Sequence, residues 1–374
     1  MGFGVCAIMN LGGKIVDIPE ITLTGSPYEK GFTHGSLCRE RVMRSLGTYR
    51  FRFGAKGRNP FSWEDARATA RRFASTLAGE FAPYAEEMRG IAAGAGIDFE
   101  DVLALNLRSE IIYSGLVPGE AEPAGECTAF AAVPPATADG AVLAGQTWDY
   151  TRAQREAVFL ARFPAENGRP AMWMPLEAGM VGGKGVSAAG FCLTLNALSS
   201  PRTGFGIPLH VRMRHILEAP TADEAMRRAA EPPIAAPACL IVTSRDGRCT
   251  AFELDPDGVE ELHPEGGVLG HTNHFLSTRY RVEVSGGSTV PRFERISKLL
   301  RAKQGLTLAD AESFLSDHGN APQSICAHPA PGTPPERLGQ VGSTNYAFVA
   351  DLVAGRIRFV MGNPCEGAFR DISL

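Results

Sequence analysis

The chain has 374 residues, 44% of them hydrophobic and 21% charged, which is ordinary globular composition. A formal charge of −4 offers no surface for nucleic acid or an anionic membrane, and no apolar run approaches the roughly 20 residues of a bilayer span. Eight cysteines with no CxxC pair and no regular framework read as reduced residues of a cytoplasmic protein, most of them small core hydrophobes.

The opening stretch, MGFGVCAIMNLGG, has no basic n-region and only a short, interrupted apolar run, so no targeting signal is expected there. ITLTG looks like a strand. Residues 27–113 then read as helices. PYEKGFTHGSLCRERVMRSLGTYRF has Pro27 near its start and apolar positions three and four apart. SWEDARATARRFASTLAGEF opens on Ser62 as an N-cap with acidic residues in its first turn, and Asp98 is a candidate cap for DFEDVLALNLRSEIIY. Residues 114–126, SGLVPGEAEPAGE, are rich in Gly, Pro and Glu and have no period, the signature of an exposed loop.

After Cys127 the texture changes to strands. CTAFAAV and AVLAGQTWDY are separated by an Asp139-Gly140 turn signal; AVFLARF with AMWMPLE, and CLIVTSRDGRCTAFEL around Asp246-Gly247, read as hairpins. GFCLTLNAL is one more buried strand, and TNYAFVADLVAGRIRFVMG one more hairpin. Helices interrupt at PLHVRMRHILEA with TADEAMRRAA, and at VPRFERISKLLRA with TLADAESFLSD. Strands apolar on both faces, with helices in separate blocks, predict two stacked sheets covered by helices, an α+β class. The helical part has no sheet partner of its own, so residues 1–374 are expected to form a single unit interrupted by the loop.

Cys127 stands at the head of a strand, straight after that loop. Freed from its peptide bond, it would carry a thiol with pKa near 8.5 and an α-amine near 7.7–8.0 on one residue, nucleophile and base together. The chemistry then needs an anchor for the amine and donors for an oxyanion. Asp149 suits the first role, because it ends the strand that pairs with the one Cys127 starts. Asn273 in GHTNHF suits the second, through its side-chain NH₂.

Read in order, ECTAFAAV, DGAVLAGQTWDY and GHTNHF resemble the acyl-CoA:6-aminopenicillanic acid (isopenicillin N) acyltransferase family of autoproteolytic N-terminal nucleophile hydrolases. GSPYEKGFTHGS, LNLRSE, EAGMVGGKGVSAAGFCLTLNAL, SICAHP and GSTNYAFVADLVAGRIRF extend the resemblance over nearly the whole chain. It implies a four-layer αββα sandwich of two mainly antiparallel sheets, made as a zymogen. Self-cleavage between Glu126 and Cys127 would give a small, mostly helical subunit, 1–126, and a large one, 127–374, that stay together. It implies Cys127 as nucleophile with Asp149 and Asn273 in support, acting on a small amide or acyl donor and an amine acceptor. Cofactors and metals are not expected; acyl-CoA enters only as a substrate. Thr147 before Trp148-Asp149, and Glu126 before the nucleophile, depart from the family pattern.

Two rivals accompany this reading. One is an unprocessed Cys–His acyltransferase using His271 or His274; the other is an inactive relative that binds an amide metabolite. His34 and His274 are expected to be structural, and Arg108 with Glu110 a buried pair. Gly182, Gly183 and Gly185 fit no phosphate loop, and their expected use is close backbone approach. His271 and His274 have no second ligand cluster of recognisable spacing, so they predict no metal site.

Overall fold

In the computed structural model, which describes residues 18–55, 61–114, 127–281 and 287–374, the course begins with a short strand, β1 (Glu20–Thr22). Six helices follow: α1 (Pro27–Leu37), α2 (Arg39–Ala55), α3 (Trp63–Phe73), α4 (Ala82–Ala95), α5 (Phe99–Asn106) and α6 (Arg108–Tyr113). The first and third start as their sequences predict. Ser26 and Ser62 accept from the backbone N–H three residues on, and Glu29 and Asp65 reach back to close capping boxes. Asp98 differs: its backbone is extended ahead of α5, but its carboxylate makes no cap bond and accepts from Arg67 Nη2 at 2.9 Å instead.

Beyond the loop come β2 (Cys127–Ala132), β3 (Leu143–Thr151), β4 (Val158–Phe163), β5 (Met172–Glu177), β6 (Gly185–Ser187) and β7 (Phe191–Ala197). Two helices, α7 (Leu209–Leu217) and α8 (Ala222–Ala230), precede β8 (Ala238–Ser244), β9 (Cys249–Asp255), β10 (Gly258–Leu262) and β11 (Val268–His271). Then α9 (Thr289–Arg301) and α10 (Leu308–Leu315) lead to β12 (Gly342–Asp351), β13 (Arg356–Met361) and β14 (Arg370–Ile372).

Among the described residues these strands form two sheets. One runs β1-β4-β5-β6-β7-β8-β9-β10, the other β11-β2-β3-β12-β13-β14. Every pairing is antiparallel except that of β1 with β4, which is parallel. The edge strand before the loop thus belongs to a sheet built mostly from residues after it. Strands β2 and β3 face β7 across the sandwich; α9 and α10 cover the outside of the six-stranded sheet, and α7 and α8 the outside of the other. This is a four-layer αββα sandwich.

The two-residue period of a strand explains why β2 is apolar throughout. Cys127, Ala129 and Ala131 face the core between the sheets, whereas Phe130 and Ala132 pack with Ile296, Leu300 and Phe314 beneath α9 and α10. β12 divides in the same way, with Tyr346 and Phe348 inward and Ala347 and Val349 outward. No helix of the described residues is long and apolar enough to cross a membrane.

Candidate active site

Cys127 is the first residue of β2, opposite Trp148 of β3, and only 6% exposed. Its backbone groups are tightly held. The N–H donates to Asn273 Oδ1 at 2.7 Å; the carbonyl accepts from Asn196 Nδ2 at 3.0 Å and from Arg292 Nη1 at 2.5 Å. Arg292 reaches in from α9 and also gives Nη2 to Asn273 Oδ1 at 2.9 Å and Nη1 to Thr128 Oγ1 at 3.1 Å. Its fork therefore fixes both the cysteine and the asparagine that receives the cysteine's N–H.

Asp149 is fully buried in β3, where Oδ1 accepts from Thr344 Oγ1 at 2.6 Å and Oδ2 from Thr147 Oγ1 at 3.1 Å. The neighbouring strand β12 shifts register between Thr344 and Tyr346, a bulge that sets Thr344 beside the aspartate. Burial pushes the Cys127 thiol above its ordinary value and the Asp149 carboxylate adds to this; the Lys184 ammonium, a hydrogen bond from the Asp149 backbone and Arg292 oppose it. Asn273 thus meets the cysteine at its nitrogen, and the Asp149 backbone at its sulfur. The sequence reading gave the nitrogen to Asp149 and the oxyanion to Asn273. In the structure the Asn273 oxygen faces the nitrogen, and its NH₂ donates to Ala197 O at 3.0 Å. Glu126 lies outside the described residues.

Three further residues join the site that sequence reasoning passed over. Lys184 is buried with its ammonium over Trp148, 4.8 Å from the ring centroid, and over Tyr346 at 5.2 Å. Desolvation pulls its pKa down to about 8, against the pull of Cys127 and Glu177. The signal was present in VGGKG, where attention went to the glycines. Two of these do serve close approach: a Cβ on Gly182 would lie 2.0 Å from His210 O, and one on Gly185 2.1 Å from Trp173 O, whereas one on Gly183 would meet nothing nearer than Pro175 O at 3.4 Å. Asn196, a polar residue inside the apolar LTLNAL, and Arg292, a charge on the buried face of its helix, were the other two legible clues.

The histidines stand apart. His271 directs Nδ1 at Thr272 O, 2.7 Å away, and Nε2 at Glu253 Oε1, 2.9 Å away. His274 Nδ1 lies 2.9 Å from Thr289 Oγ1, and burial lowers its pKa to about 4. Both ring nitrogens of His271 face acceptors, so neither is a free base. His34 is buried and accepts from Gly179 N at 3.0 Å. Arg108 and Glu110 are not a pair. Arg108 Nη2 meets Glu177 Oε1 at 2.6 Å, whereas Glu110, pushed up to about 7 by burial, accepts from Leu209 N at 2.7 Å. Their adjacency in LNLRSE misled, because side chains two apart on a helix do not face each other.

A buried cysteine thus opens an inner strand of an αββα sandwich, with its backbone clamped and charged groups acting on its sulfur. A family model described as "Acyl-coenzyme A:6-aminopenicillanic acid acyl-transferase" matches residues 136–365, and the chain belongs to that family. It is an enzyme of acyl transfer or amide hydrolysis. An Emericella nidulans protein named acyl-coenzyme A:6-aminopenicillanic-acid-acyltransferase 40 kDa form is 27% identical over 351 residues, 92% of each chain. An Archaeoglobus fulgidus protein of unassigned role is 28% identical over 209 residues, covering 50% of this chain and 32% of its own. Among solved structures, penicillin V acylase from Agrobacterium tumefaciens has TM-score 0.45 at 16% identity, covering 63% of this chain and 83% of its own. A Caenorhabditis elegans N-acylethanolamine-hydrolyzing acid amidase ortholog has TM-score 0.43 at 16% identity, covering 61% and 93%.

Proposed function

We propose that this chain cuts itself between Glu126 and Cys127 and then works as an N-terminal cysteine acyltransferase or amidohydrolase on a small amide or thioester. The observation that carries the reading is the clamp on Cys127: Asn273 takes its N–H while Arg292 and Asn196 take its carbonyl. All three partners are side chains brought in from outside β2, a hold that the strand ladder alone does not provide.

In the first step the Cys127 thiolate attacks the Glu126 carbonyl, and the peptide C–N bond breaks as an S-acyl bond forms. The released nitrogen takes a proton, and water hydrolyses the thioester to a Glu126 carboxylate and a free Cys127. Residues 1–126 and 127–374 then form the two subunits of one sandwich. In turnover the new α-amine accepts the thiol proton, and Asn273 Oδ1, already placed to receive an N–H, holds that amine. The sulfur attacks the substrate carbonyl, the leaving amine or thiol takes the proton, and water or an amine acceptor removes the acyl group. The oxyanion needs donors facing it, and the second Asn273 amide hydrogen with backbone N–H groups supplies them.

Intact mass and N-terminal sequencing of wild type beside Cys127→Ala provide the test. The wild type should give two fragments, the larger beginning Cys-Thr-Ala-Phe, while the variant stays whole. A wild type that hydrolyses amides as one uncut chain would overturn the α-amine as base. Labelling of Cys127 by a thiol probe should also depend on prior cleavage.

A further inference from the structure

Near the start of β12, four side chains from three separate segments converge. His318 follows α10, Cys326 and His328 precede β12, and Cys365 follows β13. Their ligand atoms all lie within 4.8 Å of one another. We infer that these four residues form a tetrahedral site for a structural zinc ion.

The separations carry the argument. His318 Nε2 lies 3.1 Å from His328 Nε2; His328 Nε2 lies 3.2 Å from Cys365 Sγ and 3.5 Å from Cys326 Sγ; and the two sulfurs lie 3.5 Å apart. Zinc bonds of about 2.3 Å to sulfur and about 2.0–2.1 Å to nitrogen, at tetrahedral angles, give edges of about 3.8 Å for S–S, about 3.6 Å for S–N and about 3.3 Å for N–N. Four of the six edges lie within about 0.4 Å of these lengths, each on the short side, and the two from His318 to the sulfurs lie within 4.8 Å. A disulfide would need its sulfurs at about 2.05 Å. Hydrogen bonding alone needs no common centre, and the two facing Nε2 atoms compete for a single shared proton.

The surroundings fit as well. His328 Nδ1 sits 3.6 Å from Glu366 Oε1, a carboxylate behind a ligand histidine. Cys326 N donates to Asp317 O at 3.0 Å, and Asp317 is paired with Arg295 at 2.6 Å, so the segment carrying His318 and Cys326 is anchored from α9. His318 and Cys365 are exposed, which gives an ion a way in. Sequence spacing missed the site because its ligands share no helix or compact motif; only the fold brings them together.

The site would also bear on Asp149. Ala327, between the two central ligands, exchanges hydrogen bonds with Thr344: its N–H donates to Thr344 Oγ1 and its carbonyl accepts from Thr344 N, both at 2.9 Å. Thr344 Oγ1 in turn donates to Asp149 Oδ1 at 2.6 Å. The ion would fix the segment that holds this threonine, a positioning role with no contact to substrate.

The test uses the full chain grown with zinc, purified under reducing conditions, desalted and assayed by elemental mass spectrometry, then reloaded with cobalt. Equimolar zinc and the visible bands of tetrahedral thiolate–cobalt are expected. Cys365→Ser and His318→Ala, both at exposed positions, should each weaken retention by more than about 100-fold, and Glu366→Gln by about 10-fold. A folded wild type that holds no zinc and gives no cobalt bands would overturn the site. So would a thiol count showing Cys326 joined to Cys365, or zinc retained undiminished by both ligand variants.

Discussion

If the proposed self-cleavage takes place, Cys127 has no free amine beforehand, and its thiol needs another proton acceptor. We assign this role to Lys184, a buried amine whose charge acts on the thiol. Its pKa near 8 leaves a neutral fraction at neutral pH, and the transfer makes an ammonium–thiolate pair in a buried site, where each charge supports the other. An amine base acts only when unprotonated, so cleavage should speed up as pH rises, with an inflection near 8, and level off above it. Lys184→Met should slow cleavage and remove that inflection. A time course of precursor loss between pH 6 and 10 reads both, and an unchanged profile in the variant would assign the proton elsewhere. Asn273→Ala makes a complementary case, because it removes the acceptor that holds the nitrogen. Turnover per cleaved molecule should fall by about 100-fold, the scale of a misplaced general base. A loss confined to KM would mean that Asn273 binds substrate instead.

At the scale of elements, the pairing of α1 with α4 rests on glycines at four-residue spacing in both helices. A Cβ on Gly31 would lie 1.9 Å from Glu87 O, and one on Gly90 2.1 Å from Tyr28 O. Two helix backbones touch there, and no side chain fits between them. Gly90→Ala should therefore cost about 1–3 kcal/mol or more, where Ala in an exposed helix would stabilise, and a urea titration measures it. The sequence showed these helices but not the contact, since the glycines of KGFTHG and RGIAAG are 55 or more residues apart in a pattern that local periodicity cannot join. The strands were more legible. Turn pairs such as Asp246-Gly247, with Gly247 at φ 89°, mark β8–β9 unambiguously. That Cys127 and Asp149 come together was legible, because one starts a strand and the other ends the strand paired with it. Lys184, Arg292 and Asn196 left clues in the sequence, but their places in the site were not readable from it, since these depend on burial and on partners far along the chain.

For the molecule as a whole, the proposed self-cleavage would raise the question of what keeps residues 1–126 on residues 127–374. Beyond the β1–β4 pairing, the answer is a set of buried polar contacts across the cut. Asn106 accepts from Val181 N at 2.9 Å and donates to Gly179 O at 2.9 Å; Arg214 meets Glu87 at 3.2 Å; Tyr84 donates to Glu218 at 2.8 Å. At the centre is Glu177, which takes Arg108 on one oxygen at 2.6 Å and, on the other, Tyr49 at 2.6 Å and Gln154 at 2.9 Å. Burial alone would raise the Glu177 pKa, but Arg108 and the other donors overcome this and hold it below its ordinary value. It therefore stays ionised at neutral pH, a carboxylate that only its partners stabilise. Arg108→Met removes the charge that faces it and should cost about 3–5 kcal/mol, the penalty of an unpaired buried ion. Arg108→Met with Glu177→Gln removes both charges and should recover part of that loss. Denaturant midpoints of the four proteins give the coupling, and gel filtration of the cleaved forms shows whether the subunits separate. If the double variant is as unstable as the sum of the two singles, the pair contributes shape and not charge. The association of the subunits would then rest on the β1–β4 edge and the apolar core.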